Sequence, residues 1–406
     1  MFTFMDYIQN AFYSASHWNR DNSYSTLTAT AQALLDFQTP RGLHLHISSL
    51  PTPNLATSYS LNNVGLVDGS FSYLYSSLPL LVPSKSSKLD LHSVVRGYRQ
   101  ILPLRAPDPP WWRETWHRGK RVDTRDTLLY GRLFLPQNAL EVLYMKRLTP
   151  TRLLKVSAVS DAALPNGGTI LALFQNDYGK YSTEYLYSSD SALLGVRGLY
   201  NFGPDPRDAA AASQPPLPAI FSAGAEAYYG VLNKSGGIST GIRFTTLPSH
   251  ASFPYTMTLT LNPLMGNLSS TYAVKAGGNL ALCSRFDFNF YSYESGVLVG
   301  CELWRLRRNR EIKSEEWAKK MIREGWETVD RAVSAAGLDT VSGAKASTND
   351  DDVTGVLKVR VNQDWKIGLL WEGRFKDLLF SVGTSLDLKR REQIFRGLGL
   401  EVQYSS

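Results

Sequence analysis

Along much of this chain, apolar and polar side chains alternate with period two. In 255–262, YTMTLTLN, Tyr255, Met257, Leu259 and Leu261 share one face, and Thr256, Thr258, Thr260 and Asn262 the other. In 68–76, Phe71, Tyr73 and Tyr75 alternate with Ser70, Ser72, Leu74 and Ser76. Near the end, Leu378, Phe380, Val382, Thr384 and Leu386 alternate with Asp377, Leu379, Ser381, Gly383 and Ser385. The last run sets Leu398, Leu400, Val402 and Tyr404 against Gly399, Glu401 and Gln403. Such alternation marks strands with one apolar and one polar face.

The same reading predicts strands over 41–49, 56–63, 68–76, 92–103, 127–135, 139–148, 151–159, 168–176, 180–188 and 192–202. It continues over 217–232, 237–247, 254–263, 267–276, 279–289, 294–305, 353–363, 366–375, 377–388 and 395–404. These are about twenty segments of roughly ten residues, the length a tilted strand needs to cross a bilayer. Tight joints such as Asn233-Lys-Ser-Gly-Gly237 and Lys275-Ala-Gly-Gly278 suit hairpins. The pattern predicts an all-β transmembrane fold, an antiparallel barrel over 41–404.

Three long loops interrupt it: 104–126, rich in Pro, Trp and Arg; 203–218, GPDPRDAAAASQPPLP; and 306–352, with an amphipathic helix near 314–336. They follow the fourth, tenth and sixteenth predicted strands. Loops separated by even numbers of strands leave an up-and-down barrel on the same side, with short turns on the other. In the first forty residues, Phe2, Met5, Ile8 and Phe12 fall at helical spacing. A short helix with a Ser/Thr-rich connector to the first strand is the expectation there.

Composition changes this picture little. In 406 residues there are 31 Gly, 21 Tyr and 17 Phe, and 19% of residues are charged. That suits β-structure meeting lipid, but equally a large soluble β-protein. No apolar run is long enough for a membrane-spanning helix. A mean hydropathy of −0.20 points to a soluble protein, although alternating strands hide from a window average. The net charge of +7 suits anionic lipid headgroups or acidic partner surfaces. Two cysteines, Cys283 and Cys301, exclude a disulfide framework, and their alternation places them on opposite faces of the wall. The start has neither a basic secretory n-region nor early arginines, so no signal peptide or matrix presequence is expected.

Candidate chemistry is sparse. His44 and His46 could begin a zinc site, but no third ligand is visible, and polar lumen residues are the better reading. There is no strand-to-helix phosphate loop, no GxSxG elbow and no paired CxxC. Nothing assembles an acid, a base and a nucleophile, so the expectation is a protein that is not an enzyme and takes no cofactor or metal. Lys358 and Arg360 alternate with apolar residues and place positive charge in the lumen. They either favour anions in a pore or pair with carboxylates on a neighbouring strand. Trp317, Lys319, Lys320, Arg323 and Trp326 give the loop helix a basic, partly apolar character suited to docking on headgroups or a partner. Phe71, Tyr73 and Tyr75 form one aromatic row, and Phe286, Phe288 and Phe290 with Tyr291 and Tyr293 a second. Each is either an interfacial girdle or a site for another membrane protein.

The stretches WNRDNSYSTLTATAQALLDF and RGLHLHISSLPTPNLATSYSLNNVGLVDGSFSYLYSSLPL, and the closing EVQYSS, resemble the mitochondrial distribution and morphology protein 10 family of fungal outer-membrane barrels. The resemblance implies a porin-like barrel of nineteen strands, one fewer than the pattern predicts, and an N-terminal segment, 1–40, associated with the lumen. It implies location in the mitochondrial outer membrane, at contacts with the endoplasmic reticulum (ER). It implies a tether with mitochondrial distribution and morphology proteins 12 and 34 and maintenance of mitochondrial morphology protein 1, supporting phospholipid transfer. It also implies association with the sorting and assembly machinery that inserts barrels. The expected partners are these proteins and membrane lipids, not nucleic acid. In such barrels the last strand carries a targeting signal. Gly399, Val402 and Tyr404 fit its last fixed positions, while its polar slot falls on Gly397. A porin-type anion or metabolite channel is the competing expectation.

Overall fold

The computed structural model describes residues 1–64, 66–106, 114–117, 120–123, 126–164, 166–207, 217–250, 252–306, 353–389 and 394–406. Residues 305–354 form a separate compact unit, and most of them lie outside the described residues, including the expected loop helix. The rest of the chain builds a sheet of nineteen strands. The first nine are β1 (Gly42–Thr52), β2 (Leu55–Val64), β3 (Leu66–Ser76), β4 (Thr127–Leu135), β5 (Leu140–Thr149), β6 (Arg152–Ser160), β7 (Gly168–Asp177), β8 (Tyr181–Ser188) and β9 (Leu193–Phe202). Then follow β10 (Ala219–Gly230), β11 (Ser235–Thr246), β12 (Tyr255–Asn262), β13 (Asn267–Lys275) and β14 (Leu280–Asn289). The last five are β15 (Ser295–Leu306), β16 (Val353–Asn362), β17 (Lys366–Phe375), β18 (Leu378–Asp387) and β19 (Phe395–Ser405).

Chain neighbours pair antiparallel around the sheet, as β1 does with β2 and β18 with β19. The ring closes between β1 and β19, which run parallel, with Gly42 opposite Gly399 and Ile47 opposite Tyr404. An odd number of strands requires this, because the first and last then point the same way. No helix among the described residues is long and apolar enough to cross a membrane.

The wall is inside out by the standards of a water-soluble protein. Its outer face exposes Leu43, Ile47, Val67, Tyr73, Val196, Leu259, Val299 and Leu398, with Val67 at 64% and Leu398 at 71%. Its inner face buries Ser70, Ser222, Thr256, Thr258, Arg243, Lys358 and Glu372. Burying one Leu or Ile side chain is worth about 1.5–3 kcal/mol. A wall that forgoes this on strand after strand belongs in lipid, where it also leaves no unpaired strand edge.

One predicted strand is not a strand. Segment 92–103 begins in the one-turn helix Leu91–Val94 and continues without strand pairing. Its alternation arises because it lies against the inner wall, with Leu91, Val94 and Val95 buried. Removing it gives nineteen. The long connections then follow β3, β9 and β15, so their even spacing survives. The first is longer than expected, 77–126, and holds a two-stranded hairpin, Glu114–His117 with Lys120–Asp123.

The N-terminal helix is present as α1 (Phe4–Ala15), opened by a capping box between Thr3 and Asp6. It buries Phe4, Met5, Ile8 and Phe12. The Ser/Thr-rich connector holds a 3₁₀ turn, Tyr24–Thr26, and a second helix, α2 (Ala29–Leu35). Ala31, Leu34 and Leu35 of α2 pack against inner-face Ala273, Ala281 and Cys283. Residues 39–41 then cross the inner face of β18 and β19 to reach β1.

Candidate functional site

The first aromatic row lies on β3 and belongs to a wider patch. Cross-strand register sets Tyr59 and Leu55 of β2 beside Phe71 and Tyr75, and Leu133 and Leu129 of β4 on their other side. Side chains directly opposite across a pair share a face, so this patch is outer wall. Tyr59 and Phe71 pack edge to face, 5.5 Å between ring centroids. Tyr73 is 53% exposed and sits opposite Gly131, beside which a Cβ would meet nothing within 4 Å. The aromatic rings therefore border a shallow recess in the wall.

The second row lies far around the barrel, on β14 and the turn after it. Phe286 and Phe288 stack at 6.5 Å, and Phe288 meets Phe290 edge-on at 5.2 Å. The Tyr291 hydroxyl donates to the Pro263 carbonyl at 2.9 Å, and Tyr293 is exposed. The structure thus separates the two rows. The rim that holds this turn also carries Trp365, and beside it Asp364. The Lys389 ammonium bonded to Asp364, with Lys366 near, holds that carboxyl below its usual range. At the opposite rim, the hydrogen bond from Arg207 pulls the Asp205 carboxyl down to about 2.

Inside, Lys358 and Arg360 do face the lumen. Lys358 is fully buried and paired, its Nζ 3.1 Å from Glu372 Oε2. Val356 stands directly opposite Glu372, so the pair is diagonal across β16 and β17. Lys358 also donates to the Arg96 carbonyl, and the amino group of Met1 meets the other Glu372 oxygen. Glu302 of β15 accepts from Trp304 Nε1 and from the Tyr98 backbone N–H. Arg360 donates to the Leu35 carbonyl at 3.1 Å and lies over the Phe37 ring. Of the two readings of Lys358, pairing with a neighbouring carboxylate is the one the geometry matches. Glu372 and Glu302 escaped the sequence reading. The available signal was a carboxylate at an inner position of a strand next to one bearing Lys358.

His44 contacts Asn62 and the Arg41 carbonyl, each at 2.8 Å, and His46 lies 3.5 Å from Glu401. No group that could hold a metal occurs among the described residues. In the last strand, Val402 and Tyr404 point outward. Gly399 points inward, where an added Cβ would lie 2.2 Å from the Pro40 carbonyl oxygen. Trp317, Lys319, Lys320, Arg323 and Trp326 lie outside the described residues.

Cys283 and Cys301 are free and lie on adjacent strands, where Leu282, not Cys283, stands opposite Cys301. They therefore face opposite sides of the wall. A lipid-soluble maleimide added to membranes is expected to label Cys301 and spare buried Cys283. Faster labelling of Cys283 would reverse the assignment of faces.

A closed wall with apolar side chains outward and paired charges inward is a transmembrane β-barrel of the porin-like class. The family model described as mitochondrial distribution and morphology protein 10 matches residues 1–339 and 334–406. Proteins of that name from Phaeosphaeria nodorum and Sclerotinia sclerotiorum are 63% and 59% identical to this chain over 100% of both lengths. One from Podospora anserina is 44% identical over 99% of each. The chain belongs to the mitochondrial distribution and morphology protein 10 family. Membership supports a structural protein of mitochondrial distribution and morphology, and the barrel is consistent with the mitochondrial outer membrane.

Proposed function

We propose that this barrel is a non-catalytic anchor in the mitochondrial outer membrane at contacts with the ER. In this reading it holds a tethering complex that supports phospholipid transfer. Its soluble and ER-side partners are mitochondrial distribution and morphology proteins 12 and 34 and maintenance of mitochondrial morphology protein 1. A second complex, with the sorting and assembly machinery, helps insert other barrels. The observation that carries the reading is the outer-wall patch of Tyr59, Phe71, Tyr73 and Tyr75 around the recess at Gly131. Rigid aromatic rings beside a recess make strong anchors for a neighbouring protein, because little side-chain entropy is lost on docking. The row at Phe286, Phe288, Phe290, Tyr291 and Tyr293 offers a separate surface for a second partner. The loop helix bearing Trp317, Lys319, Lys320, Arg323 and Trp326 is proposed to dock on headgroups or a soluble partner.

Changing Tyr73 and Tyr75 together to Ala is expected to weaken one partner complex while the barrel still inserts. Native gels of solubilised membranes would read this. Equal loss from every complex would mean that the row serves folding alone. The channel reading rests on the polar inner face and on Lys358 and Arg360; against it, Lys358 is paired with Glu372 and Arg360 is bonded to the Leu35 carbonyl.

A further inference from the structure

We propose that residues 77–106 are a built-in plug which, with the N-terminal segment, closes the barrel at one rim. The connection from β3 to β4 has no need to be long, because the two strands are direct neighbours. Ser77 N–H already donates to the Thr127 carbonyl at 2.9 Å across the gap. The chain nevertheless leaves the wall and crosses the mouth. Leu80 N–H bonds the Pro53 carbonyl at the end of β1. Ser86 exchanges bonds with Ser405 at the end of β19, the hydroxyls 3.0 Å apart. Arg374 of β17 donates to the carbonyls of Ser87 and Leu89. His92 stacks on Trp304 of β15 at 4.1 Å. The Arg96 carbonyl takes the Lys358 ammonium, and Gly97 presses on Glu302, where a Cβ would meet the carboxylate at 2.5 Å. Gln100 ends the traverse on the Thr246 carbonyl of β11.

The strands left uncovered by this path are met by the N-terminal segment. Tyr13 bonds Met145 of β5, the Ser16 carbonyl accepts from Arg147, and Asn22 bonds Asp177 of β7. The two segments are joined by the Phe2 N–H to Val94 carbonyl bond, an Arg96–Asp6 ion pair and an Arg99–Asp21 ion pair. Most of these wall contacts lie toward the ends of odd-numbered strands or the starts of even-numbered ones, which is one rim, while Lys358 and Met145 sit at mid-strand. Wide β-barrels conduct unless loops fill them. On this proposal the lumen is shut at the rim of the long connections.

The test uses the full chain reconstituted in planar bilayers, beside a variant in which 78–125 is replaced by a short Gly/Asn turn. The full chain is expected to give no steady current steps and the variant to give them. A disulfide between Ser86→Cys and Ser405→Cys is expected to form in intact membranes, with each single variant as the control for native cysteines. Large steady conductance from the full chain would overturn the proposal, as would silence from an inserted deletion variant. Absence of the cross-link in an inserted barrel would overturn it too, and decides the matter if the deletion variant does not insert.

Discussion

Replacing Glu372 by Leu is expected to destabilise the barrel by about 3–5 kcal/mol, the cost of orphaning one member of a buried ion pair. Lys358 and Glu372 are each 1% exposed, and Nζ stands 3.1 Å from Oε2. Without Glu372, Lys358 keeps the Arg96 carbonyl, which carries no full charge. Glu302 is already bonded to Trp304 and Tyr98. A buried ammonium left with that carbonyl and the more distant Glu302 carboxylate loses its closest counter-charge, and with it most of the interaction that offsets its desolvation. The double variant Lys358→Met with Glu372→Leu is expected to recover only part of the loss, since Lys358 no longer needs a counter-charge while the buried Met1 amino group still loses Glu372. Urea unfolding in detergent, followed by tryptophan fluorescence, would measure all three. A single variant as stable as the parent would show that water reaches the pair.

The second large effect is expected at Gly399. Gly399→Val should prevent closure of the ring, a loss of about 4 kcal/mol or more, at the exceptional end for one substitution. The cause is Pro40, whose carbonyl crosses so close that even a Cβ would sit 2.2 Å away, with backbone rather than a flexible side chain in the way. Pro40 is also pressed on Gly383, where a Cβ would lie 2.6 Å from its Cδ. Gly397→Ser should be nearly neutral, because a Cβ there meets its nearest neighbour, Arg41 Cγ, at 3.7 Å. Refolding purified protein from urea into detergent removes any targeting machinery, and heat-shifted gel mobility reports closure. If Gly399→Val refolds as the parent does, its glycine serves recognition alone.

Most of the wall was legible because a barrel strand writes its two environments into alternate residues. Lipid demands Tyr, Leu or Val at one parity, and the lumen allows Ser, Thr and charge at the other. The same code misled at 92–103. There Leu91 and Val94 are buried while Arg96 turns to Phe2 and Asp6, so an unpaired segment inside the barrel mimics a wall strand. α2 went unseen because Thr28, Thr30 and the serines before them lowered helical propensity. The spacing of Ala31, Leu34 and Leu35 was the signal available. The Lys358–Glu372 pair depends on register, which alternation alone leaves open. The outward direction of Phe71, Tyr73 and Tyr75 could be read from their row, but not the recess at Gly131, which needs the neighbouring strand.

The parallel junction of Gly42 with Gly399 has a consequence for the order of assembly. Every other pair in the wall joins neighbours in the chain and can zip as soon as both strands exist. This junction spans nearly the whole polypeptide, so its loop-closure cost falls last and all at once. Until then the sheet has two bare edges, and each is a template for a foreign strand. The nascent barrel thus passes through a stage when β1 and β19 are adhesive. Closing the junction also seats Pro40 against Gly383 and Gly399, so the same step that joins the edges covers the inner side of β18 and β19.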